Sequence, residues 1–444
     1  MKSYKKFLPV FLTLALLLTA AYCVYDKTST ERNYHRLVNR ARDYAQRGIT
    51  YDAVENYLQA LELYPSIELT IEAGNLYIQD ENTEECENWY ENQLLPVYPK
   101  DARTFLYGIR TYKLEEDYEY AYKTYREYQG RGLYDEEVEK EMDPIRNAYV
   151  LSGYYDEVKP FSNINGLAAV RYHDYWGYVD QKGSRCVNYR FVKADTFGEF
   201  AAVIDKEGRA FYIDGQGNVR INDTFIHDSD PDFGTVVEFQ VIQSNLILAY
   251  NGSVWNYYDA ETFEKRFGGY AAATPITAGV GAVSKDGEKW ALIDVNGQEL
   301  TGYVFDEVVA DEKGMVCRTA AIIVRQNGLY YLVDQTGACL TEGYDRACAF
   351  YDSTGAALAR GDTWYFLDET GAVLYSGAFE DARSFSNGMA AVKLDGYWGY
   401  IDESGELIIP AEFDGAGPFN ANGSAFIDRD ECWQILRLIK FKYK

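Results

Sequence analysis

The chain has 444 residues, among them 41 Tyr, 22 Phe and 7 Trp, and its 69 acidic against 43 basic side chains leave a formal charge of −26. That length exceeds one ordinary domain, and aromatic residues spread along all of it exclude long disordered or collagen-like tracts. So acidic a chain is repelled by phosphate backbones and anionic lipid surfaces, which argues against nucleic acid as a partner.

At the N-terminus, Lys2, Lys5 and Lys6 precede an apolar run over residues 7–25 with no charge in it. As a helix this run matches a hydrocarbon core of about 30 Å. It predicts a single transmembrane helix behind a cytoplasmic tail of residues 1–6, with everything after it extracytoplasmic. The small residues of Thr19-Ala20-Ala21-Tyr22-Cys23 leave a cleaved or lipidated signal segment as the alternative.

Residues 31–150 follow a helical pattern. In Tyr44-x3-Gly48-x4-Ala53-x3-Tyr57-x2-Ala60-x4-Pro65, small residues alternate with aromatics at helical spacing, and Gly48 and Pro65 mark helix ends. A step of 34 residues carries Pro65 to Pro99, and a step of 68 carries Ala53 to Ala121 and Tyr57 to Tyr125. This region resembles the tetratricopeptide repeat family, whose resemblance implies an α-solenoid of three helical hairpins. The second hairpin departs from the pattern, with Glu87 and Glu91 in the places of Ala53 and Tyr57. Residues 135–149 read as a capping helix. The resemblance also implies a concave groove lined by the first helix of each hairpin. On that face Arg103 and Arg110 lie seven residues apart with Lys113 one turn on, and Arg42 precedes them. Arg42, Arg103, Arg110 and Lys113 are the candidate partner-binding residues, suited to a carboxylate-bearing peptide. The competing expectation is that neighbouring acids such as Glu115, Glu116 and Asp117 neutralise them.

After Gly153 the period changes to that of strands. Phe161-Ser162-Asn163, Gly166-Leu167-Ala168-Ala169-Val170 and Trp176-Gly177-Tyr178-Val179-Asp180 return as Phe385-Ser386-Asn387, Gly388-Met389-Ala390-Ala391-Val392 and Trp398-Gly399-Tyr400-Ile401-Asp402. An aromatic-x3-Asp-x2-Gly core recurs at Asp294, Asp334 and Asp368, and more weakly at Asp214 and Asp259. These units resemble the bacterial WG-repeat family over about residues 154–437. Each reads as a small antiparallel sheet, so residues 154–444 form an all-β domain of about seven or eight units. A β-propeller is the favoured closure and a β-solenoid the alternative. Asp followed by Gly at the repeated turn suits a tight hairpin, and the recurring Trp suits packing between sheets. Only Trp176-Gly177 and Trp398-Gly399 keep the Trp-Gly pair, so its Gly is dispensable for the fold.

No catalytic constellation stands out. The three His residues, His35, His173 and His227, sit in no zinc or triad motif, and the seven Cys show no CxxC spacing. The fold class expected is therefore multi-domain α plus β, with a membrane helix, a helical solenoid and a β-repeat domain. The function expected is a membrane-anchored binding or scaffold protein without chemistry or cofactor of its own, taking a protein, peptide or cell-envelope glycan as partner. The alternatives are a glycan or cell-wall hydrolase using the β-domain and a purely structural spacer.

Overall fold

The computed structural model describes residues 4–352 and 354–440, with the side chains of residues 1–17 and 20–26 outside that description. Two compact units result, Met1–Ala148 and Tyr149–Lys442.

The first unit is helical: α1 (Tyr4–Gln46), α2 (Thr50–Leu63), α3 (Ile67–Gln79), α4 (Thr83–Trp89), α5 (Ala102–Leu114), α6 (Tyr118–Gly130) and α7 (Glu136–Met142). A polar residue starts most of these helices. Ser66, Asn82, Asp101, Asp117 and Asp135 each accept a hydrogen bond from a backbone N–H in the first turn that follows, which supplies a partner the helix itself cannot. Ala53, Ala60 and Ala121 are fully buried, so paired helices approach closely there. In the second hairpin α4 gives way after two turns to a π-helical turn, Tyr90–Leu94. Trp89, the last residue of α4, and Tyr90, the first of the π turn, are both buried. They lie against Gly74 and Gly108, where a Cβ would come within 2.6 Å of a ring carbon.

The membrane helix is a correction. Residues 7–25 form no element of their own: the backbone runs as one 43-residue helix through Asp26, Lys27, Glu31 and Arg32 without a break. Among the described residues no helix is long and apolar enough to cross a membrane. That finding overturns the single-pass anchor, the tail assigned to residues 1–6 and the extracytoplasmic placement that rested on them. Residues 1–3 lie outside the described residues. The fold class is a helical region followed by an all-β region of many small sheets.

The second unit begins and ends in one sheet. Its first strand, Tyr149–Tyr155, pairs antiparallel with its last, Cys432–Leu438, which continues to Ser424–Arg429 and Gly415–Ala416. One seven-stranded sheet holds the first two repeats, joined through the long strand Arg185–Ala194, and the other sheets of three or four strands hold one repeat each. Hydrophobic clusters couple each repeat to the next. Tyr178 and Phe191 pack with Ala201 and Val203, Tyr400 and Phe413 with Ala425 and Leu436, and Phe161 and Val170 of the first repeat with Phe426 and Ile435 of the last.

This arrangement explains the Ala-rich strands. Ala390 and Val392 face the repeat before, while Ala391 faces the repeat after. Both faces are covered, so the run 389–392 is buried without alternation, and small side chains let the sheets stack. The glycine of Trp-Gly has a related cause. Trp398 pairs with Phe413 but Tyr400 with Ile409, so the neighbouring strand bulges, and its backbone covers Gly399. Trp176, Tyr178, Phe191 and Val187 repeat that offset over Gly177. In the third repeat Asn256 takes the place of the Gly, and the close approach is met from the opposite strand by Gly268.

Candidate functional site

Three repeated contacts build a scaffold around the middle of the β unit. The first is the Asp turn. Asp402 accepts from the backbone N–H of Ser404 at 2.9 Å and of Glu406 at 3.0 Å, and Asp180, Asp214, Asp294, Asp334 and Asp368 accept from the same two positions of their own turns. These bonds favour the ionised form, so the carboxyls of Asp294, Asp334 and Asp368 lie below the ordinary range, and Asp214, with Asn218 and Arg220 also on it, falls to about 2. Each repeated Asp thereby holds its own turn together.

The second contact ties neighbouring repeats. A buried Tyr, two positions after the Trp in three repeats and after Ala210 in the second, donates its hydroxyl to a backbone carbonyl at the start of the next repeat: Tyr178 to Asp195, Tyr212 to Gln240, Tyr257 to Thr274 and Tyr400 to Gly417. Burial pushes the Tyr178, Tyr212 and Tyr257 hydroxyls well above their usual range.

The third contact defines the inner wall. The backbone N–H of Lys159, Asp195, Gln240, Thr274, Val309, Cys348, Arg383 and Gly417 each donates to a carbonyl of its own second strand, at 2.8–3.0 Å. The repeats therefore place one equivalent residue each at this inner position. Lys159 and Arg383 occupy it on either side of the last repeat, and Gly417 occupies it in between.

A loop from the fifth repeat reaches into the same space. Asp311 accepts from the N–H groups of Lys313 and Met315 and from Arg318 Nε, which fixes a further Asp-x2-Gly turn and projects Glu312 and Lys313 inward. Lys313 Nζ donates to the Phe161 carbonyl in the first repeat at 3.1 Å, so the loop crosses the middle of the unit. Glu312 Oε1 accepts from Tyr351 at 2.6 Å and from Arg383 Nη1 at 3.0 Å. Desolvation pushes the Glu312 carboxyl up against the opposing field of Arg383, and it lowers the Lys313 ammonium to about 8 with help from the charge of Arg318. Glu312 and Arg383 still keep about a third of their side-chain surface open, 32% and 35%, because they line a cavity rather than a packed core. That cavity, about 390 Å³, is also bounded by Lys159, Gly417, Phe426 and Trp433.

The residues expected from the sequence lie in the helical unit. Arg103, Arg110 and Lys113 share α5, and Arg42 lies on α1. Their partners are not Glu115, Glu116 and Asp117. Arg42 is held by Glu72 through two bonds of 2.7 and 2.8 Å, Arg103 by Asp101 and Glu68, Arg110 by Glu137 and Glu141, and Lys113 by Glu141. The row of cations is a row of ion pairs joining α1 to α3, α3 to α5 and α5 to α7. The inner position of the β unit went unread in the sequence. Its signal was there, since Lys159 and Arg383 stand two residues before the aligned Phe161 and Phe385.

The family described as WG containing repeat matches residues 147–176, 366–398 and 398–430. The helical region has no such match, so its tetratricopeptide character stays a resemblance of pattern. No curated protein matches the chain. Among solved structures, the chain is similar to BamB from Moraxella catarrhalis (11% identity, TM-score 0.42, 66% of this chain and 100% of that one). It is also similar to the computationally designed Ika8 protein (12%, 0.42, 66% and 96%) and to the WD40 beta propeller domain of Doa1 (12%, 0.35, 65% and 97%).

Proposed function

We propose that this chain is a binding and scaffold protein whose two repeat units each present a fixed surface to a protein or peptide partner, without a reaction of its own. The WG repeats, and the core clusters that run from each β repeat to the next, support this reading most directly. Neighbouring repeats bury one another's faces, so backbone shape is held while turns and inner positions vary. In the helical unit, the ion pairs of Arg42, Arg103, Arg110 and Lys113 form a polar strip of both signs. A partner's carboxylates can exchange with Glu68 or Glu137 there, since both acids are largely exposed.

The test is affinity capture with the full chain and with an Arg103→Gln, Arg110→Gln variant. Gln is chosen over Glu because a reversed charge would face Glu68, Glu137 and Glu141 and unfold the hairpins. The expected result is a partner recovered with the wild type, weakened by salt, and lost from a variant with unchanged circular dichroism. An unchanged set of captured partners would remove this strip as the binding surface.

A further inference from the structure

We propose that the cavity in the middle of the β unit binds a carboxylate carried on an apolar body, with Lys159 and Arg383 holding the carboxylate. This inference concerns a site separate from the helical strip, and it stands or falls independently of the scaffold reading.

Four observations converge on that ligand. The repeats place Lys159 and Arg383 at the same inner position on either side of Gly417, whose missing side chain leaves the space between them open. The charge there is unbalanced, because three cations, Lys159, Lys313 and Arg383, face two carboxylates, Asp195 in the field of Lys159 and Glu312, whose Oε1 takes the bonds from Arg383 and Tyr351 while Oε2 has no partner. Lys159 has no ion-pair partner among the described residues, and its field only moderates the burial-driven rise of Asp195. Arg383 keeps a buried Nε without a hydrogen-bond partner, in a guanidinium that lies over the Trp398 ring. A single positive charge in excess suits a monoanion. Glu312 on the wall and a chain charge of −26 disfavour a phosphate dianion. The planar guanidinium fork matches a carboxylate. The rest of the wall is apolar: Val158, Pro160, Pro418, Phe426 and Trp433. A cavity of about 390 Å³ has the size of a small-molecule site.

A free organic acid and the C-terminus of a polypeptide ending in an apolar residue offer the same chemistry. Titration calorimetry on the full chain distinguishes them with phenylbutyrate, its neutral amide, and a short peptide ending in Phe with its C-terminus free or amidated. Saturable binding of phenylbutyrate assigns free acids, and binding of the free-ended peptide alone assigns a chain terminus. In both cases the amide should bind at least about tenfold more weakly and added salt should reduce affinity. Lys159→Met, which keeps the apolar stem, should cost about tenfold or more. Gly417→Leu should abolish binding by filling the cavity, since a Cβ at that position meets nothing closer than the Phe426 carbonyl at 3.3 Å. Equal binding of acid and amide, undiminished binding by Lys159→Met or Gly417→Leu, or no binding of any acid at about millimolar concentration would each overturn the assignment.

Discussion

Gly399→Ala tests the packing that makes the Trp-Gly pair. Gly399 has no positive φ, so the argument is steric alone. An added Cβ would lie 2.6 Å from the Ile409 carbonyl oxygen, 2.7 Å from Ala411 N and 2.8 Å from Pro410 C. All three are backbone atoms, so no side chain can rotate away, and relief requires the bulged strand to lift off Tyr400. Overpacking costs about 1–3 kcal/mol, and an immovable backbone places this substitution at the upper end. Gly396→Ala is the comparison. Its φ of +85° strains an L residue by about 1–2 kcal/mol, but the space around it is open. Urea unfolding of both variants, followed by Trp fluorescence and far-UV circular dichroism, should show the larger loss for Gly399→Ala. A loss no greater than that of Gly396→Ala would refute the close-approach argument. In the third repeat Gly268→Ala adds backbone strain to the close approach, since Gly268 has a φ of +154° and its Cβ would lie 2.6 Å from Asn256 Cα.

Asp402→Ala removes the acceptor of two backbone N–H groups at an exposed turn and should cost about 1–3 kcal/mol, unaffected by calcium in a thermal melt. The turn carboxyls of Asp214, Asp294, Asp334, Asp368 and Asp402 lie below the ordinary Asp value, so their contribution is complete above about pH 4 and is lost as pH falls through their folded values. Glu312 and Asp195 run the other way, because burial raises them and protonation relieves the cost. Urea midpoints measured from about pH 6 to about pH 2.5 should therefore fall, and a flat series would contradict the turn assignment. Tyr400→Phe should cost about 1–2 kcal/mol by leaving the Gly417 carbonyl unpaired, with ring packing kept; an unchanged denaturation midpoint would argue against the tie between repeats. Trp398→Ala should cost about 3–5 kcal/mol as a buried aromatic, and a stable protein that lost only ligand binding would instead make Trp398 a contact residue.

Local chemistry was legible because it repeats at fixed spacing. The Asp turns and the small residues at Ala53, Ala60 and Ala121 were read from their spacing, and the structure uses them there. The second hairpin could be seen to deviate at Glu87 and Glu91, but not that it would contain a π-helical turn or that Trp89 and Tyr90 would pack against Gly74 and Gly108 in other helices. The apolar run over residues 7–25 misled because hydropathy of a segment does not reveal where its helix ends. The helix continues to Gln46, and its later residues Leu37, Val38 and Ala41 are buried in the helical unit. The four candidate cations lie on α1 and α5, and their pairing had been sought within one hairpin. Glu72 and Glu141 reach them across hairpins, 30 and 31 residues away.

The same reasoning separates scaffold from site in the β unit. A residue that recurs in many repeats must satisfy something every repeat needs, such as a turn N–H, an inter-repeat carbonyl or a face between two sheets. Asp402, Tyr400 and Ala391 are of this kind, and each has its local partner. The inner position recurs in backbone but not in side chain: Lys, Asp, Gln, Thr, Val, Cys, Arg and Gly succeed one another on identical hydrogen bonds. The fold therefore leaves that side chain free. Glu312 meets Arg383 from 71 residues away, through a loop that breaks the symmetry of the array. Such a juxtaposition has no period to betray it in the sequence. Because the repeats do not require these charges, and burying them costs hydration, their concentration around one cavity points to a demand from a ligand rather than from folding.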